Sequence, residues 1–153
     1  MSFSLSSQNV SAYLTDKNLC IEDDIDPTKI ELKPAKNFNL LLTLNNGQKL
    51  LVKQERHSKD GKTAGEFLNE WRIQEFLNQS PELAKNRHLF PEVLHFDAEH
   101  SIIVFDYLDD YLDLAEFYAK EKVFSATIAT EIGIGLATFH SSTFNHPDCR
   151  NFL

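Results

Sequence analysis

Two leucine-rich segments on either side of Asn45-Asn46-Gly47 constrain this chain more than any other feature. An Asn-Gly pair supplies the positive φ angles that a tight hairpin turn needs. Phe38 to Leu44 before it and Gln48 to Gln54 after it read as strands, and strands joined so closely pair antiparallel.

The rest of the chain extends that hairpin. Ser7 to Leu19 reads as an opening helix with Val10, Tyr13 and Leu14 on one side and Ser7 or Asn9 as its cap. Ile21 to Thr28 is an acidic connector containing Pro27, and Lys29 to Lys33 alternates as a strand that Pro34 ends. After the polar loop His57 to Thr63, Ala64 to Asn78 is helical, with Phe67, Leu68, Trp71, Ile73, Phe76 and Leu77 as its buried side. Glu92 to Phe96 and Ser101 to Leu108 are two further strands around the turn Asp97 to His100. Asp113-Leu-Ala-Glu116 resembles a capping box for a helix to about Lys122, and Ser125 caps a last helix in which Ile128, Ile132, Leu136 and Phe139 recur at helical spacing. The expected fold is α+β: a five-stranded antiparallel sheet packed with one main helix over residues 1–108, then a connecting segment and helices over residues 109–153.

Composition removes several function classes. Fifteen Lys and Arg face 23 Asp and Glu, a net charge of -8 with no basic stripe, so nucleic acid is not an expected partner. The most apolar run, Val123 to Phe139, carries Glu131 at its centre and suits a buried helix better than a membrane span. Cys20 and Cys149 form no C-x-x-C pattern, and the first residues lack a basic, then apolar, leader. A reducing, cytoplasmic setting is therefore expected.

Lys53 closes the run Leu50-Leu51-Val52-Lys53 near a strand end. Alone, such a lysine is ordinarily a surface residue with its stem laid along the protein. Glu70 shares a helix face with Phe67, Ile73 and Leu77, where a lone carboxylate is costly unless paired; Glu66, one turn earlier, is the competing candidate. A strand lysine followed by a helix with an inward glutamate is the arrangement kinases use to hold the lysine against nucleotide phosphates. In that reading the backbone of Asp106, Tyr107 and Leu108 meets the adenine.

With Asn37, Leu51-Val52-Lys53, Glu70, Phe76-Leu77, Phe90-Pro91-Glu92-Val93-Leu94-His95-Phe96, Ile103 to Leu108 and Leu136-Ala137-Thr138-Phe139-His140 taken in order, residues 29–143 resemble the N-terminal lobe of the aminoglycoside phosphotransferase family, which includes choline-kinase-like enzymes. The resemblance implies ATP with Mg²⁺ as cofactor, Lys53 on phosphate, Glu70 positioning it, and Asn37 in the phosphate-covering turn. It also implies transfer of the γ-phosphate to a hydroxyl of a small molecule.

Two departures bear on this. The turn Pro34-Ala35-Lys36-Asn37 has no glycine, which close backbone approach to phosphate usually needs. The family's catalytic His-Gly-Asp motif and its later metal-binding aspartate have no counterpart in the sequence, so catalysis is expected from a C-terminal lobe not contained in it. His146-Pro147-Asp148-Cys149-Arg150-Asn151 has the wrong spacing to substitute and reads as a loop. Asp109, Asp110 and Asp113 precede a helix start, where carboxylates cap and favour the dipole. Gly133 and Gly135 inside the last helix point to close packing against that lobe or against a partner protein. The alternatives are a non-catalytic interaction module that keeps the lobe and does not use ATP, and a generic α+β domain in which Lys53 and Glu70 never meet.

Overall fold

The hairpin forms where the Asn-Gly turn places it. Gly47 takes φ +91°, a region that side chains rarely enter, and its N–H donates to the Leu44 carbonyl at 2.9 Å. The computed structural model describes residues 3–84 and 87–144. In it β1 (Ile25–Lys33), β2 (Phe38–Leu44), β3 (Lys49–Gln54), β4 (Val93–Asp97) and β5 (Ile102–Asp106) form one sheet in the order β1-β2-β3-β5-β4. Every neighbouring pair is antiparallel. The helices are α1 (Val10–Asp16), α2 (Glu66–Gln79), the single turn α3 (Pro81–Ala84), α4 (Leu114–Glu121) and α5 (Ala126–Thr143). The fold is α+β, as expected, and the segment His146 to Asn151 lies outside the described residues.

Register decides what each face does. Leu40 pairs with Val52 and Leu42 with Leu50, so these side chains share one face of the pleat. They form a core with Ile102, Val104 and, from the N-terminal segment and α1, Leu5, Val10, Tyr13 and Leu14. Each fully buried aliphatic side chain contributes about 1.5–3 kcal/mol. Gln54 ends this face, and its buried side chain is satisfied: Oε1 accepts from Leu5 N at 2.7 Å, and Nε2 donates to the carbonyls of Phe3 and His100 at 2.9 and 3.0 Å. The opposite face presents Asn39, Leu51, Lys53, Ile103 and Phe105. Phe67 of α2 packs there on Ile103 and Phe105, and Trp71 stacks on Phe96 at 5.8 Å.

Glu55 sets where α2 begins. It is buried at the end of β3, and its carboxylate accepts from Glu66 N at 3.0 Å, Phe67 N at 3.3 Å and Ser101 Oγ at 2.5 Å. Its own N–H donates to the Ser101 carbonyl at 3.0 Å. A carboxylate on the free N–H groups of a helix start satisfies donors that have no partner inside the helix and favours the dipole. Gly65, at φ +76°, turns the chain into the helix, which is why α2 opens at Glu66 and not at Ala64.

Contacts divide the chain into two units, Met1–Gln74 with Pro91–Tyr107, and Glu75–Phe90 with Leu108–Leu153. In the second, Phe76, Leu77 and Leu83 form a small core with Phe90 and Phe139. Both caps expected there are made: Asp113 accepts from Glu116 N at 2.7 Å and Ser125 Oγ from Ile128 N at 3.2 Å. No residue of α4 or α5 is buried, although α5 carries one charged side chain, Glu131, in its 18 residues. Ile132, Ile134 and Leu136 are 43%, 54% and 55% exposed.

Three local expectations are corrected. β1 starts at Ile25 and runs through Pro27; proline is tolerated because β1 is an edge strand. The Asn9 carboxamide does not cap α1 but turns back, accepting from Ser6 N and donating to the Ser4 carbonyl. On α2, Leu68 and Ile73 are exposed at 37% and 41%, while the polar Gln74 is buried. Among the described residues no helix is long and apolar enough to cross a membrane.

Replacing Glu55 by alanine leaves two helix-start N–H groups and the Ser101 hydroxyl without their acceptor. The expected loss is about 3 kcal/mol of unfolding free energy in a denaturant titration, with Glu55→Gln, which keeps one acceptor oxygen, losing less. A loss below about 0.5 kcal/mol in Glu55→Ala would remove Glu55 from this role.

Candidate functional site

Lys53 stands on the sheet face that α2 covers, opposite Asn39 on β2 and Ile103 on β5. Its ammonium lies 4.8 Å from the Phe105 ring centre and 5.9 Å from that of Phe67. Cation–π contacts of this kind contribute about 0.5–1 kcal/mol when exposed and about 2 when dry. Among the described residues no carboxylate comes within 4.0 Å of Nζ.

Glu70 is half-buried on α2, sharing a face with the buried Phe67, Gln74 and Leu77. It makes no hydrogen bond or ion pair among the described residues. The ion pair expected between Lys53 and Glu70 is therefore not closed. Phe67, three residues before Glu70, shares the lysine's ammonium with Phe105. Among the described residues neither charged group has an ionic partner.

The turn Pro34 to Asn37 reaches α2 through the other glutamate. Lys36 forms an ion pair with Oε1 of Glu66, and Asn37 Nδ2 donates to Oε2 of the same residue at 3.4 Å. Hydrogen bonds from Lys36 first and Asn37 second hold the Glu66 carboxyl below its usual range. Asn37 is thus brought to Glu66 and not to Glu70.

The strand end expected to meet adenine uses its backbone donors in the sheet. Asp106 N donates to the Glu92 carbonyl at 3.0 Å and Tyr107 N to the Lys49 carbonyl at 2.9 Å. The Asp106 carboxylate accepts from Gln48 Nε2 at 3.1 Å. Leu108 begins the second stretch of the second unit and is exposed.

Reading residues one at a time missed Asn39. Its Oδ1 is buried and, among the described residues, has no hydrogen-bond partner; Asn39 lies directly across from Lys53. The signal was the hairpin register, which sets Asn39 opposite Lys53 once the turn is known. Among the described residues no three His, Cys, Asp or Glu side chains converge as a metal site would. Glu70 alone does not make a Mg²⁺ site, so these residues do not fit a metal of their own.

A second concentration of titratable groups lies on the α1 side of the sheet. Asp97 Oδ2 accepts from Tyr13 OH at 3.3 Å and lies 3.0 Å from His100 Nδ1, while Oδ1 accepts from the N–H groups of Glu99 and His100. Burial, the largest influence, would raise the Asp97 carboxyl, but the ring and backbone hydrogen bonds of His100 with the Tyr13 bond bring it below the usual range. Burial first and then Asp97 push the Tyr13 phenol up. His95, edge-on to the Tyr13 ring at 6.4 Å, has its Nε2 buried without a partner. Burial lowers its pKa, Asp97 opposes that, and Lys17 adds to it. Every one of these bonds orders α1 and the β4–β5 turn, so this cluster is structural.

No protein-family model matches the chain, and no curated protein does.

The His95 shift has a definite sign. The unfolded chain takes the proton first as pH falls below about 6.5. Stability from neutral His95 is complete above that pH and lost below it, and the Asp97 contribution follows at lower pH, below about 4. The melting temperature is expected to fall between pH 7 and 5.5, with a shallower fall in His95→Gln. An identical slope in both proteins would show that His95 does not couple folding to protons.

Proposed function

We propose that this chain is the nucleotide-binding lobe of a small-molecule phosphotransferase, in which Lys53 meets the phosphates of ATP and Glu70 orients that lysine. The observation that carries the reading is a cation on β3 and a carboxylate on α2 that, among the described residues, have no ionic partners. Around them the order β1-β2-β3-β5-β4, with α2 inserted between β3 and β4 in the chain, supports the resemblance to a kinase-like lobe.

The chemistry asked of such a lobe is positioning and charge neutralisation. A triphosphate brought to Lys53 offers its ammonium a stronger partner than two aromatic rings, and Glu70 then holds the displaced side chain from the helix side. Mg²⁺ would arrive with the nucleotide as its counter-ion. Groups that activate the acceptor hydroxyl are supplied from a catalytic lobe outside this sequence, and the exposed apolar face of α5 is where that lobe, or a partner protein, docks.

One observation favours a second reading. Ile132, Ile134 and Leu136 leave α5 apolar and uncovered, which suits an interaction module that does not use ATP. Mg-ATP separates the two. At a hundredfold excess over Kd, linkage adds about 2.7 kcal/mol, expected as a rise of about 5–10 °C in Tm that Lys53→Ala abolishes. No shift in the wild-type protein, or an equal shift in Lys53→Ala, would contradict the nucleotide reading.

A further inference from the structure

We infer that the glycine-free turn Pro34 to Asn37 is an oxyanion clip built from side chains, and that Glu66 occupies it as an internal stand-in for a phosphate of the ligand. The inference rests on the nucleotide reading of this face and adds a binding element and a latch to it.

The clip is seen holding an oxyanion. Lys36 takes one oxygen of the Glu66 carboxylate and Asn37 Nδ2 takes the other, so one cation and one amide donor converge on two oxygens of a single group. A phosphate presents two oxygens in the same manner. Phosphate-covering turns usually approach with backbone N–H groups, which needs glycine; here the two side chains at the end of the turn do the reaching.

Glu66 is free to be displaced. The helix start does not depend on its carboxylate, because Glu55 accepts from the N–H groups of both Glu66 and Phe67. The pair is also open to solvent, with the Lys36 side chain 76% and the Glu66 side chain 41% exposed, and exposed pairs are weak. The clip is joined to Lys53 through the sheet: Asn37 stands two residues before Asn39, the cross-strand partner of Lys53. A chain of phosphates is the ligand class that could reach from one to the other. When it binds, Glu66 leaves the clip and the turn exchanges one oxyanion for another.

Limited proteolysis tests this on the intact chain. Trypsin does not cut Lys33–Pro34, so Lys36–Asn37 is the one tryptic bond in the turn, and cleavage requires Lys36 to leave Glu66. In Glu66→Gln the initial rate of cleavage after Lys36 is expected to rise by about two- to fivefold, the range of an exposed pair, with cleavage after Lys17 unchanged as the internal control. Inorganic tripolyphosphate should slow cleavage after Lys36 in both proteins, at a lower concentration in Glu66→Gln, and Asn37→Asp should remove that protection. Equal cleavage in wild type and Glu66→Gln would overturn the latch. Absence of protection, or protection surviving in Asn37→Asp, would overturn the clip. Because the probe has no base or ribose, a failed Mg-ATP shift with an intact clip would count against the nucleotide reading alone.

Discussion

The carboxylate of Glu55 is buried where β3, the start of α2 and the β4–β5 turn meet, and the geometry of the candidate site follows from that meeting. A buried anion must be hydrogen-bonded to be tolerated, and here its partners are two helix-start N–H groups and one hydroxyl. Because those N–H groups belong to Glu66 and Phe67, the first turn of α2 is pinned two residues along the chain from Lys53. Phe67 therefore lands on Ile103 and Phe105. Without that anchor, little in the polar loop from Arg56 to Gly65 would specify which face of the sheet the helix covers.

Lys53 differs in its contacts from the two lysines near the turn before β2. Lys33 and Lys36 each have a carboxylate partner. Lys53 instead has two rings and, across the hairpin, an amide oxygen with no donor. Among the described residues its ammonium is held by cation–π contacts. In the turn Pro34 to Asn37, Lys36 and Asn37 reach the Glu66 carboxylate with their side chains.

Legibility in the sequence varied with how local the cause was. The β2–β3 hairpin, the Asp113 and Ser125 caps and the antiparallel sheet depend on short-range chemistry and were readable. The start of β1 was not, because Pro27 looks like a strand breaker until the strand is known to be an edge. On α2, helical spacing put Leu68 and Ile73 on the buried side, where the structure leaves both exposed. The buried positions are Phe67, Gln74, Phe76 and Leu77, and the inclusion of Gln74 is a choice that only packing determines. Glu55 was invisible because Gln54-Glu55-Arg56 reads as a polar strand exit; its burial depends on Ser101, 46 residues away. Asn39 was recoverable from register, but the choice of Glu66 by the covering turn was not.

An acyl-phosphate derivative of ATP gives the most direct measurement, since a lysine amine next to the phosphates attacks the acyl carbon, forms an amide and releases ATP. Tryptic mass spectrometry should find the acyl group on Lys53 ahead of Lys59 and Lys62 in the exposed loop, and excess Mg-ATP should suppress it. Labelling of Lys53 no faster than of those loop lysines, unaffected by Mg-ATP, would mean that this face of the sheet does not receive a nucleotide.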